Sequence, residues 1–271
     1  MNFTEKLAGT IQKNRSLLCV GLDPDPALMP EGIGTLEFNR AIIESTADLV
    51  CAYKPNIAFY EALGGRGLEV LKQTRDYIGP EIPVIVDAKR GDIGNTARAY
   101  ATSLFDYFNF DAATVSPYLG FDSLEPFINY RERGVFILCR TSNPGAVDFQ
   151  SLVCQTNGGH KMLYEIVAEK VNSWNIHGNL GLVVGATYPE ELQKIRQTYP
   201  DILLLVPGVG AQGGELSEVV RCGVDAARQK TIINSSRQIL YASRGRDFAA
   251  AARQAATELR DRISQLLDET E

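Results

Sequence analysis

Short apolar, β-branched runs alternate with longer amphipathic segments from one end of the chain to the other. The runs are Leu17–Leu22, Val50–Lys54, Val84–Lys89, Ala112–Ser116, Val135–Arg140, Gly181–Gly185, Leu203–Val206 and Thr231–Asn234. Their brevity and β-branched content predict buried strands. The stretches between them carry apolar residues three and four apart, as in Phe38, Ile42, Ile43 and Ala47. Another such set is Ala97, Tyr100, Ala101, Leu104, Phe105 and Phe108, which opens just after the good N-cap types Asn95 and Thr96. Asp247 to Leu267, rich in Ala, Arg, Glu and Leu, predicts a long terminal helix. Eight strands spaced by roughly 34 residues match a (β/α)8 TIM barrel, whose usual length is about 250 residues. An open, doubly wound sheet has the same periodicity and stays as the alternative. No Pro/Ser-rich linker interrupts the pattern, so residues 1–271 are expected to form a single barrel domain. Thr141 to Gly159 is the longest segment with no clear pattern, and its length suggests a lid or binding loop.

Composition narrows the functions open to such a fold. Lys and Arg total 27 against 33 for Asp and Glu, a net charge of −6. This balance argues against general binding of nucleic acid or of an anionic membrane, so any substrate phosphate needs a local device. No apolar run nears the roughly 18–20 residues of a membrane span, and the first residues lack the layout of a signal peptide. The five cysteines include no C-x-x-C pair, and Cys19 and Cys139 lie within apolar runs, as small core residues do. A cytoplasmic location is expected.

Charged residues collect where the strands end. The third strand runs into Asp87-Ala88-Lys89-Arg90-Gly91-Asp92-Ile93, and regular alternation puts Asp87 and Lys89 on one side. The first strand ends at Asp23 and the second at Lys54. Barrel strands meet at one catalytic rim, so Asp23, Lys54, Asp87, Lys89 and Asp92 form a candidate array of acids and ammonium groups. The two histidines, His160 and His177, sit at no strand end, and no metal-ligand spacing occurs, so no metal is expected. Pro207-Gly208-Val209-Gly210-Ala211-Gln212-Gly213-Gly214 follows the seventh strand. It matches G-x-G-x-x-G but stands too late in the chain for a dinucleotide fingerprint. Exposed backbone N–H groups there, with Arg237 after the eighth strand, instead suit a phosphate.

These residues resemble a known family. Asp87-Ala88-Lys89-Arg90-Gly91-Asp92-Ile93 fits the D-x-K-x-x-D-I motif of orotidine 5′-phosphate decarboxylases. Leu22-Asp23-Pro24-Asp25-Pro26, Lys54-Pro55-Asn56, Thr141-Ser142-Asn143-Pro144, Pro207–Gly214 and Ser236-Arg237 resemble the longer, type 2 bacterial branch. The resemblance implies cofactor-free conversion of orotidine 5′-phosphate to UMP by a homodimer. It implies that Lys89 donates a proton to C6, that Lys54 and Asp87 complete the charged array, and that Asp92 acts in the partner's site. It further implies that Asp23 binds a ribose hydroxyl, that Ser142 touches the pyrimidine, and that Gln212 and Arg237 hold the phosphate, with Pro207, Gly208, Gly213 and Gly214 also binding substrate. Two rivals are a Mg²⁺-dependent sugar-phosphate barrel enzyme and a catalytically silent nucleotide-binding barrel. The Lys54-Pro55-Asn56 strand end and the retained charges disfavour them.

Overall fold

The computed structural model describes residues 1–209 and 215–269. Its strands are β1 Leu18–Leu22, β2 Ala52–Pro55, β3 Ile85–Arg90, β4 Ala112–Val115, β5 Gly134–Arg140, β6 Val153–Thr156, β7 Gly159–Met162, β8 Leu180–Val184, β9 Leu203–Pro207 and β10 Thr231–Ser235. Eight of them form one parallel sheet in the order β2-β1-β10-β9-β8-β5-β4-β3. Parallel bridges from Tyr53 to Val84 and from Asn56 to Asp87 then join β2 to β3. The sheet therefore closes on itself as a (β/α)8 barrel, which excludes the open doubly wound sheet. Helices at 35–46, 64–78, 94–102, 121–128, 163–174, 189–198 and 216–223 return the chain between strands, the helix 248–269 follows the last strand, and all pack outside.

Side chains two apart on a strand share a face. Leu138 on β5, Val183 on β8 and Leu205 on β9 line the cavity described below. Phe136 and its register partner Gly181 thus lie one layer deeper in the barrel. A Cβ at Gly181 would stand 2.7 Å from the Phe136 ring, so only glycine leaves room for it. Beneath Phe136 lies the N-terminal helix Phe3–Asn14. Phe3 meets Phe136 edge-on at 5.7 Å and is 2% exposed, a burial that stabilises by about 1.5–3 kcal/mol. The same end holds a buried charge cluster. Asp111 pairs with Lys6 at 2.7 Å and Arg75 at 3.2 Å, and accepts from the Val84 N–H at 2.9 Å.

Two expectations need correction. The segment 141–159 is not patternless: Pro144–Asp148 forms a 3-10 turn, and β6 and β7 make an antiparallel hairpin with Thr156 opposite Gly159. Asn157-Gly158 is the two-residue hairpin turn, a strong signal obscured by flanking strands that lie on the surface and are mostly polar. The helix expected after Asn95 and Thr96 begins at Gly94, capped by the extended Ile93, so those two residues lie in its first turn. Among the described residues no helix is long and apolar enough to cross a membrane.

Candidate active site

The C-terminal ends of the strands surround a cavity of about 520 Å³. Asp87 lies at its centre of charge. One carboxylate oxygen is 3.2 Å from Lys54 Nζ, and the other is 2.6 Å from Lys89 Nζ. Lys54 is 4% exposed. Burial alone would lower its pKa, yet Asp87 and Asp23 reverse that and raise it above the ordinary lysine value. Burial likewise pushes the Asp87 carboxyl up, but Lys54, Lys89 and the hydroxyl of Thr114 overcome it and hold it well below the usual carboxylate range. Both groups thus stay charged at neutral pH. Cys19, whose β1 position pairs with Ala52 and Asn234, is fully buried close to these charges. Burial pushes its thiol up to about 12, so it behaves as a small neutral side chain.

Asp87 and Lys89 do face one another, but not through regular alternation. β3 advances from Val86 to Arg90 while β4 advances only from Ala113 to Val115, so the register shifts between them. Within this bulge Lys89 has φ +46°. A non-glycine residue held there costs about 1–3 kcal/mol. The Thr114 hydroxyl fills the gap in the ladder. It accepts from the N–H groups of Ala88 and Lys89 at 3.0 and 2.9 Å and donates to Asp87 at 2.9 Å.

The other expected residues divide into three groups. Asp23, Ser142, Pro207, Gly208 and Arg237 line the same cavity. Gly208 turns the chain at φ +96°. Gly21 lets β1 pass close to the end of β10, since a Cβ there would lie 1.8 Å from Ser236 Oγ and 2.8 Å from Ser236 Cβ. Asp92 does not line the cavity. It is half-buried on the loop after β3, where its Oδ1 accepts from the Ile93 N–H at 2.8 Å, beside an Ile93 side chain that is 55% exposed. Gln212, Gly213 and Gly214 lie outside the described residues.

The cavity wall also contains polar residues that the strand pattern did not single out: Asn56, Thr114, Gln150 and Asn234. Thr114 is the lone polar residue of β4, and Asn234 directly follows the apolar pair Ile232-Ile233 of β10, which was the available signal. Buried oxygens of Asp23 and Asn234 have no hydrogen-bond partner among the described residues. Since buried polar atoms are nearly always satisfied, such atoms on a cavity wall are suited to a polar ligand. The arrangement offers ammonium groups fixed against a carboxylate at one side and a guanidinium with a glycine turn at the other.

The model of the "Orotidine 5'-phosphate decarboxylase / HUMPS family" matches residues 16–255. An orotidine 5'-phosphate decarboxylase of Dehalococcoides mccartyi (strain CBDB1) is 54% identical over 264 residues, spanning 97% of this chain and 98% of that protein. One from Thermomicrobium roseum is 51% identical over 275 residues, spanning 99% and 97%. The structure of Leishmania donovani OMP decarboxylase superposes with a TM-score of 0.87 at 41% identity, covering 99% of this chain and 100% of that one. Leishmania donovani UMP synthase superposes with a TM-score of 0.89 at 43% identity, and the match covers 98% of this chain and 57% of that longer chain.

Proposed function

The chain belongs to the orotidine 5′-phosphate decarboxylase / HUMPS family, and on that premise we propose that it converts orotidine 5′-phosphate to UMP and CO₂ without a cofactor. The observation that carries this reading is the pair of ammonium groups locked to Asp87 at the cavity wall. When the bond from C6 to the carboxylate breaks, its electron pair stays on C6 in the plane of the ring, where the π system cannot spread it. A positive charge fixed beforehand at that point stabilises the developing anion more than the ground state. Lys89 supplies that charge and then gives its proton to C6. The neutral amine left behind regains a proton from water. Lys54 and Asp87 hold the ammonium in place, and the negative charge of Asp87 repels the substrate carboxylate before it leaves.

In this reading Asp23 binds the ribose and Ser142 the pyrimidine. Arg237, with Pro207, Gly208, Gln212, Gly213 and Gly214, takes the phosphate. Binding energy from the phosphate closes the segment 143–159 over the ring and excludes water. The chain acts as a single barrel domain in a cytoplasmic homodimer, with Asp92 entering the partner's cavity; its place on a rim loop beside exposed Ile93 supports that role.

The test is the loss of ultraviolet absorbance of orotidine 5′-phosphate in EDTA, for the wild type and Lys89→Ala in parallel. Turnover by the wild type and none by Lys89→Ala is expected, and mixing Lys89→Ala with Asp92→Ala chains should restore part of it. A wild type silent in EDTA overturns the reading and makes sugar phosphates with Mg²⁺ the next substrates to try.

A further inference from the structure

A threonine hydroxyl has one hydrogen to donate and two lone pairs to accept with. In Thr114 all three are used, and all three go to one short segment: the N–H groups of Ala88 and Lys89 and the carboxylate of Asp87. The residue is 1% exposed, so water does not compete for these bonds. Lysine has no local side-chain bond to favour a left-handed backbone, as Asn or Asp would, so its φ of +46° must be held from outside. Thr114 does this at the main-chain N–H of Lys89. It also acts at the other end of the same side chain, because the Asp87 oxygen that accepts from Thr114 is the one that binds Lys89 Nζ at 2.6 Å. One hydroxyl thus constrains both the base and the tip of a long, flexible side chain that is half exposed and lines the cavity.

We propose that Thr114 is the positioning residue that holds Lys89 and Asp87 in the geometry needed for proton delivery, an inference that rests on the decarboxylase reading above. With its one hydrogen and both lone pairs already engaged, its hydroxyl has no hydrogen bond left to offer a substrate, and it does not titrate. Its contribution is to narrow the positions open to the Lys89 ammonium before substrate arrives. The effect belongs to kcat, since the groups assigned to ribose, base and phosphate are untouched.

The experiment compares the wild type, Thr114→Val and Thr114→Ser. Valine keeps the shape and removes the hydroxyl, whereas serine keeps the hydroxyl and removes the methyl. Misplacing a reacting group by about 1 Å lowers a rate by roughly 100-fold, and this is the fall in kcat expected for Thr114→Val. KM and the affinity for UMP should stay within about threefold of wild type, the pattern of an interaction used in the chemical step. Thr114→Ser should recover most of the rate. A Thr114→Val enzyme as fast as wild type overturns the proposal, and so does a Thr114→Ser enzyme as slow as Thr114→Val. Crystal structures of the variants decide the matter independently of turnover. Lys89 should leave the left-handed region or part from Asp87 in Thr114→Val and regain both in Thr114→Ser, and an unchanged Lys89 in the valine variant overturns the proposal. A wild type that does not decarboxylate orotidine 5′-phosphate refutes the functional reading, while the structural comparison still decides what Thr114 holds.

Discussion

Replacing Asp87 by Asn removes one negative charge, keeps the size of the side chain and leaves an oxygen for the Thr114 hydroxyl. The main loss falls on Lys54, whose side chain is 5% exposed and whose Nζ stands 3.2 Å from Asp87. With an effective dielectric of about 20, that separation corresponds to an attraction of ~5 kcal/mol. Lys54 has one escape, to shed its proton. Discharging a lysine of ordinary pKa near 10.4 at pH 7 costs about 1.4 kcal/mol per unit, or ~4.6 kcal/mol in all. Asp23 also attracts the Lys54 ammonium and softens the loss. The Lys89 pair adds little, because that side chain is 49% exposed and screened. Asp87→Asn should therefore lower stability by about 3–5 kcal/mol, the range for breaking a buried ion pair from one side. Urea unfolding at one fixed protein concentration measures this. The pH dependence follows from the depressed folded pKa of Asp87. Its contribution is complete above the unfolded carboxyl value near 3.9 and is lost as pH falls through the lower folded value. The gap between wild type and variant should hold from pH 7 to pH 5 and shrink below about pH 4. The raised pKa of Lys54 acts at the alkaline end instead, where its share is lost only as pH climbs through the folded value. A gap under about 1 kcal/mol at pH 7, or one that widens on acidification, refutes this account of the pair.

At the other end of the barrel, Asp111→Ala should cost a similar 3–5 kcal/mol in urea unfolding, because Lys6 and Arg75 both lose their buried partner. The kcat of the folded fraction should not change. Gly21→Ala should weaken UMP binding at least tenfold by calorimetry, or roughly 1.4 kcal/mol, since the new methyl collides with Ser236 and displaces the neighbouring Arg237. Affinity equal to wild type would mean that the β10 end tolerates movement.

The barrel was legible because its strands are short, apolar and evenly spaced, and burial on both faces leaves such runs little other use. The N-terminal helix was not identified. Its buried positions, Phe3, Lys6, Leu7, Thr10 and Ile11, do follow the helical spacing of three and four, but two of the five are polar, which thins the apolar stripe to three residues. The hairpin β6–β7 was missed because none of its strand residues is buried and both strands face solvent. In the cavity, the charges at strand ends were conspicuous because apolar strands seldom end in alternating acids and lysines. The bulge was invisible, since nothing in Asp87-Ala88-Lys89 marks an irregular ladder. The Thr114 hydroxyl that meets it sits on the neighbouring strand β4, 25 residues further along, a contact that residue spacing does not show. Asn234 was passed over for a similar reason: its interior position depends on the register of β10 against β1. The place of Asp92 outside the cavity reflects a loop direction that residue spacing does not encode.

The helix wedged beneath Phe136 closes one end of the barrel with a ring and a buried ion cluster. Among the described residues, the vessel so formed opens at the strand ends. Anything that enters must leave by the way it came, so arrival of a fresh molecule has to wait for departure of the spent one. In the proposed reaction, a nucleotide retained by its phosphate would act as a stopper as well as a product. Traffic through the doorway, rather than bond cleavage inside, becomes the natural ceiling on throughput once the chemistry is fast.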